Sequence, residues 1–334
     1  MKIINVLISI GLTLFLLSCK QPTTDDATIK ISLREAWFPW AGYAGEVFAQ
    51  YEIDSLYNVD FRISPGAENI DPIKMVLSGT NDFGIASAEN LLLANQKGAN
   101  LVAIGVLNYK SATCFLSLKH KGIEGLRDFE GKKVGILTGS ETETIYRLLV
   151  LRNNLNKNKI TEVEASFDLS TFINTDAYDV RPAFIYDEPV SLDIKDIEYN
   201  ILRPEDYGVE LVGAVYFTTR EMVEKYPEKV QAFVNIIANG WEKALAKPTK
   251  AIEYLQKYDG NIDATRELAS LEKGSEYFQG ENGEALFVSG KAWDKLYESL
   301  KELKKIDANV DVAKSFDNSF VRKYHDTRLS RASN

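Results

Sequence analysis

From residue 28 onward the spacing of apolar and polar positions changes several times, and each change marks an expected element. Residues 28–33 and 59–64 alternate as half-buried strands do, while 101–107 is apolar throughout, the pattern of a strand covered on both faces. Helical spacing appears at 43–51, near 71–77 and over 87–96, and a short strand is expected at 82–86. Ser87 suits the N-cap of the third helix, since its hydroxyl can accept from an orphan backbone N–H. A second series begins near Gly125, with a strand at 133–137, a helix at 142–152 and further strands at 162–166 and 180–186. After a strand at 210–217 the pattern turns helical, with amphipathic runs at 228–246, 249–258, 264–277 and 291–304. Alternating strands and helices predict an α/β fold with mostly parallel sheets. Residues 326–334 are polar and predict a frayed tail.

The first 18 residues follow another rule. Lys2 precedes an apolar run over 3–17, interrupted only by Asn5, Ser9, Gly11 and Thr13. That length fits a signal peptide and is short for a membrane span. The run ends Leu16-Leu17-Ser18-Cys19, which resembles the lipobox of bacterial lipoproteins. The resemblance implies cleavage before Cys19, lipid on Cys19, and a chain held at the cell envelope by a polar tether at 19–27. The roughly 300 residues that follow exceed the usual size of a single core and predict two lobes.

Losing Lys2 with the leader takes the net charge from −9 to −10, which argues against a nucleic-acid partner because phosphate binding needs concentrated Lys and Arg. Of two cysteines, lipidation leaves Cys114 alone, so no intrachain disulfide is expected; its TCFLSL context predicts a buried thiol.

Reactive chemistry is sparse. The two histidines, His120 and His325, lie in polar, lysine-flanked stretches without metal-ligand spacing, and no cysteine cluster exists. There is no nucleophile elbow, P-loop or dinucleotide fingerprint. No enzyme activity, cofactor or metal is therefore expected. Instead, strand ends are followed by glycine, hydroxyl and aromatic residues, where open α/β sheets bind ligands. The strand at 133–137 runs into Thr138-Gly139-Ser140-Glu141-Thr142-Glu143, a helix start whose N–H groups suit an acceptor or serve only for capping.

The order of several short stretches is similar to that of substrate-binding proteins of ABC importers. They read WFPWAGYAG, SPGAENIDP, LSGTNDFGIASAENLLLANQKGANLVAIGVL, DFEGKKVGILTGSETE, IYDEP, RPEDYGVE and YFTTREMVEKYPEKVQAFVNIIANGWEKAL. The chain most resembles the family that binds thiamine-precursor pyrimidines, beside riboflavin-binding relatives. The resemblance implies a type II periplasmic-binding-protein fold with two α/β lobes, a two-strand hinge and a ligand cleft between them. Lobe one would be 28–112 plus 216–325, and lobe two 113–215. The implied partners are a small-molecule ligand, a permease with its ATPase, and the membrane through the lipid anchor; the protein itself is expected to be a monomer. A eukaryotic branch of the family makes the pyrimidine from its own histidine, which follows a tryptophan in the first strand–helix turn. Here that turn reads Trp37-Phe38-Pro39-Trp40-Ala41-Gly42-Tyr43, without histidine, so a binding role is expected rather than synthesis.

A heteroaromatic ligand wants aromatic walls and sparse polar contacts. Trp37, Phe38, Trp40 and Tyr43 could supply one wall, or Trp37 and Phe38 could pack between strand and helix; Gly66 and Ser87 stand at other strand ends of lobe one. Lobe two would contribute Gly139, Ser140, Thr142, Asp168, Tyr186 and Glu188. Glu188 could accept from a ring amine or could cap the next helix. Riboflavin, a sulfonate or nitrate are alternative ligands, and a sensory lipoprotein without a transport partner is an alternative role.

Overall fold

The computed structural model describes residues 28–307 and 310–332. The expected leader at 1–18, the tether at 19–27 and lipid-bearing Cys19 lie outside the described residues. Among those residues no helix is long and apolar enough to cross a membrane.

The chain opens with β1 (Ile29–Arg34), α1 (Ala44–Phe48), β2 (Val59–Ser64), α2 (Pro72–Leu77), β3 (Phe83–Ser87), α3 (Ala88–Gln96) and β4 (Leu101–Val106). It continues through β5 (Thr113–Leu118), β6 (Lys133–Ile136), α4 (Glu141–Arg152), β7 (Thr161–Glu164), α5 (Leu169–Asn174), β8 (Arg181–Phe184), α6 (Glu188–Ile194) and β9 (Tyr199–Leu202). β10 (Ala214–Thr219) leads into α7 (Arg220–Lys225), α8 (Pro227–Ala246), α9 (Pro248–Tyr258), α10 (Ala264–Phe278), α11 (Gly290–Glu302) and α12 (Ser319–Ala332).

Two sheets share one plan. The first has strand order β2-β1-β3-β10-β4, with β1, β2 and β3 parallel and β10 antiparallel to both its neighbours. In the second, β8-β5-β9 is antiparallel and β6-β7 parallel, and a parallel bridge from Val134 to Val180 sets β6 beside the entry to β8. The combined order is β7-β6-β8-β5-β9. In each lobe the strand arriving from the other lobe takes the fourth place. This is the two-lobed α/β architecture expected from the sequence.

Residues 107–112 and 203–213 cross between the lobes and bond to each other. The Leu107 and Asn108 amides donate to the Ala214 carbonyl at 2.8 and 3.1 Å, and the Ser111 amide donates to the Leu211 carbonyl at 2.7 Å. Ala214 and Val215 already pair with Ser87 and Ala86. The chain thus rejoins the first sheet at Ala214, where β3 pairs with it as soon as the crossing ends.

α8 supplies the main apolar face of the first lobe, burying Val230, Phe233, Val234, Ile237 and Trp241. Close approach to α1 needs two glycines: a Cβ on Gly240 would lie 2.3 Å from the Gly45 carbonyl oxygen. The helix expected at 43–51 is built as a 3-10 turn, the five-residue α1 and a π turn over Ala49–Ile53. The tail expected to fray over 326–334 is helical as far as Ala332. Its polar composition is that of a helix lying on the surface, and it is fastened at intervals. His325 meets the Ala285 carbonyl at 3.0 Å, the Tyr324 hydroxyl donates to Glu242 at 3.0 Å, and Arg328 pairs with Glu242.

Candidate functional site

The turns leaving β1, β7 and β8 meet between the lobes through their aromatic side chains. Trp37 from lobe one lies against Phe167 from lobe two, with centroids 5.1 Å apart and planes tilted by 41°. Trp40 stacks on Tyr186 at 5.4 Å and 27°, and presents its ring to Tyr43 at 89°. Tyr186 is itself backed by Tyr277 and Phe278 of α10. Gly42 leaves room for the Trp40 indole, which sits 2.4 Å from where a Cβ would be. The two rings of the Trp40–Tyr186 pair lie against each other here, so a flat ring could enter between them only if the pair parted.

Polar groups around this stack are few and poorly paired. The Tyr186 hydroxyl donates to Asn108 Oδ1 at 3.4 Å, from the first hinge crossing. Among the described residues, Asn108 Nδ2, Trp40 Nε1 and Glu141 Oε1 are buried without a hydrogen-bond partner, as are both oxygens of Glu35. Glu35 directly follows β1, next to the aromatic turn, and is fully buried. Burial holds its carboxyl well above the usual range, and the Glu46 carboxyl adds to the rise. Burial pushes Glu141 from 4.5 to about 7, with the charge of Glu89 adding and the Ser111 hydroxyl opposing. Unpaired buried acids remain protonated, or wait for a donor.

Those shifts fix the sign of a pH effect. A carboxyl with a higher pKa in the fold than in the unfolded chain contributes stability that is complete below about 4.5 and lost as pH climbs through the folded value. Glu46, pushed to about 8 by burial, acts in the same direction. Unfolding followed from pH 5 to 8 should show stability declining, and Glu141→Gln should remove on the order of 1–3 kcal/mol of that decline. An unchanged slope would contradict the burial of this carboxyl.

Trp40, Tyr43 and Tyr186 are brought into one aromatic cluster, while Trp37 forms a second with Phe38 and Phe167. Gly66 supports the second: its amide donates to the Trp37 carbonyl at 2.9 Å, and a Cβ there would lie 2.4 Å from the Ala36 carbonyl carbon. Other candidates serve local structure. Ser87 caps α3, accepting from the Asn90 amide at 3.1 Å. Ser140 caps α4, and its hydroxyl meets that of buried Thr142 at 2.8 Å. Gly139, at φ +78°, gives its N–H to Glu143. Asp168 is exposed and caps α5 through the Ser170 amide.

Glu188 has a structural role: one oxygen accepts from Arg181 at 2.8 Å and the other from the Phe184 amide at 2.9 Å, so it closes the β8–α6 turn. Glu35, Asn108, Glu141 and Phe167 are the residues that sequence reasoning missed. Glu35 and Phe167 stand at strand ends, the signal used elsewhere, while Glu141 was read only as part of a hydroxyl-rich helix start.

Lobe-to-lobe contacts frame the cleft. Thr144 donates to Glu89 at 2.7 Å, Arg152 meets Glu302 at 2.7 Å, Lys273 meets Asp193 at 2.8 Å, and Arg266 pairs with Asp187.

The sequence profile of the NMT1/THI5 like family matches residues 57–251. The chain is 24% identical over 267 residues to the 4-amino-5-hydroxymethyl-2-methylpyrimidine phosphate synthase of Legionella pneumophila, covering 79% of this chain and 83% of that protein. It is 23% identical over 249 residues to the riboflavin-binding protein RibY of Chloroflexus aurantiacus, covering 72% and 70%. Its fold is similar to that of the periplasmic aliphatic sulphonate binding protein SsuA of Escherichia coli, with a TM-score of 0.68 at 16% identity, over 85% of this chain and 91% of that one.

Proposed function

The chain belongs to the NMT1/THI5 like family, and on that premise we propose that it is the substrate-binding lipoprotein of an ABC importer. It captures a small heteroaromatic solute, of the thiamine-precursor pyrimidine kind, by closing two lobes on it. It then hands the solute to a permease while held at the envelope by lipid on Cys19.

One observation carries the choice of ligand: an aromatic pair, one ring from each lobe, beside buried acceptors that lack donors. Trp40 and Tyr186 offer two flat faces, and Glu35 and Glu141 offer carboxyl oxygens to a ring amine. A donor from the ligand would draw such a carboxyl toward its charged form, in which the bond is stronger than a neutral one. An anion such as a sulfonate or nitrate would meet unpaired acids instead of cations. The fully buried arginine, Arg181, is already committed to Glu188.

What supports binding rather than synthesis is that the aromatic turn holds no histidine. His120 lies in an exposed 3-10 turn, and His325 is on α12 against Ala285. Protein purified without denaturation should release a flat, amine-bearing heteroaromatic compound, unaltered, when unfolded and analysed by mass spectrometry. Recovery of an aliphatic sulfonate or nitrate would overturn the reading.

A further inference from the structure

On lobe one, away from the cleft, α8 and α12 enclose a groove of about 250 Å³. Its size falls just under the range of small-ligand pockets, about 300–1,000 Å³. Packed helices usually meet through apolar side chains. Here α8 turns a polar row toward the groove, with Gln231, Asn235 and Asn239 spaced one helical turn apart and Glu242 continuing it.

The amides are half used. Gln231 Nε2 donates to Asn235 Oδ1 and to the Phe320 carbonyl, and Asn239 Nδ2 donates to the Tyr57 hydroxyl. Gln231 Oε1 and Asn239 Oδ1 are buried and have no partner among the described residues. Buried unpaired oxygens are uncommon enough that each calls for a cause. Charge supplies the second half of the pattern. Glu242 is occupied by Tyr324 and Arg328, whereas Lys243 and Lys323 line the same groove with no carboxylate partner among the described residues. In a chain of net charge −9, this groove has a cationic rim over acceptors that lack donors.

We propose that the groove binds a phosphate ester with neighbouring hydroxyls, the lysines taking the phosphate and the two amide oxygens taking the hydroxyls. Such a group could come from a soluble glycerol phosphate or from the headgroup of an anionic phospholipid. Lysine serves phosphate as a compact charge, and charge-assisted bonds favour the anion over neutral solutes. The site lies within one lobe and does not depend on cleft closure, so it stands or falls separately from the importer reading.

Calorimetric titration of the full chain with glycerol 3-phosphate, and separately with monomeric dihexanoyl phosphatidylglycerol, tests it. One-to-one binding of either ester is expected, and the ester that binds names the source. Lys243→Ala with Lys323→Ala should weaken binding about tenfold or more. Asn239→Asp keeps the shape and lets the Tyr57 hydroxyl donate where it now accepts, but puts a negative charge at the groove, and should weaken it comparably. Trp40→Ala should leave it unchanged. Binding of neither ester overturns the proposal, as does binding that ignores the groove variants or disappears with Trp40→Ala.

Discussion

Arg181→Leu should lower the unfolding free energy by about 3 kcal/mol in urea titrations at neutral pH. Arg181 is 1% exposed, and its guanidinium donates to Glu188 at 2.8 Å and to the Pro182 carbonyl at 3.2 Å and lies over the Phe172 ring. Leucine fills much of the space but leaves the Glu188 carboxylate with only the Phe184 amide. Burial already raises the Glu188 carboxyl, and the Arg181 charge is the main influence opposing that rise. Removing one partner of a buried pair costs more than the pair is worth, because the remaining charge is stranded. The Glu188 side chain keeps 17% exposure, which places the loss at the low end for such pairs. Arg181→Leu combined with Glu188→Leu should therefore be more stable than Arg181→Leu alone. If the single variant unfolds like the original chain, the pair is not what closes the β8–α6 turn.

The second large effect is on binding. Trp40→Ala removes one wall of the stack and should weaken binding of the heteroaromatic solute by about 1–3 kcal/mol, roughly 5- to 150-fold in Kd, the range for losing one aromatic platform under a nucleobase-sized ring. Trp40→Phe keeps a flat face and should recover most of it. Displacing the existing Trp40–Tyr186 contact is part of the binding cost, so Tyr186→Ala should weaken binding for the same reason from the other lobe. Competition binding with a fluorescent analogue reads both. Equal affinity in Trp40→Ala and the original would move the ligand away from this stack.

Much of the scaffold was legible because long periodic segments leave little choice. β2 occupies the expected residues 59–64, and α8 fills an amphipathic run read at 228–246. β4 is buried along its whole length, as its unbroken apolar run implied. β9 escaped notice because it has only four residues, mostly part-exposed, and pairs with β5 alone. α5 escaped for a similar reason, with six residues and one buried side chain, Phe172.

The site was legible in its rings and not in its acids. Aromatic residues bunched after β1 signal a wall whatever the partner strand does. A carboxylate at a strand end reads the same whether it is free or paired. Glu188 and Glu35 both occupy such positions, but Arg181 stands seven residues before Glu188 and claims it, while Arg34 turns to Asn81 and the Pro65 carbonyl. Only the fold decides which acid is left without a partner.

Calorimetric titration with 4-amino-5-hydroxymethyl-2-methylpyrimidine, run beside an aliphatic sulfonate as control, tests the central claim most directly. The account predicts saturable one-to-one binding of the pyrimidine and no heat of binding from the sulfonate. Saturable binding of the sulfonate, with none from the pyrimidine, would contradict it.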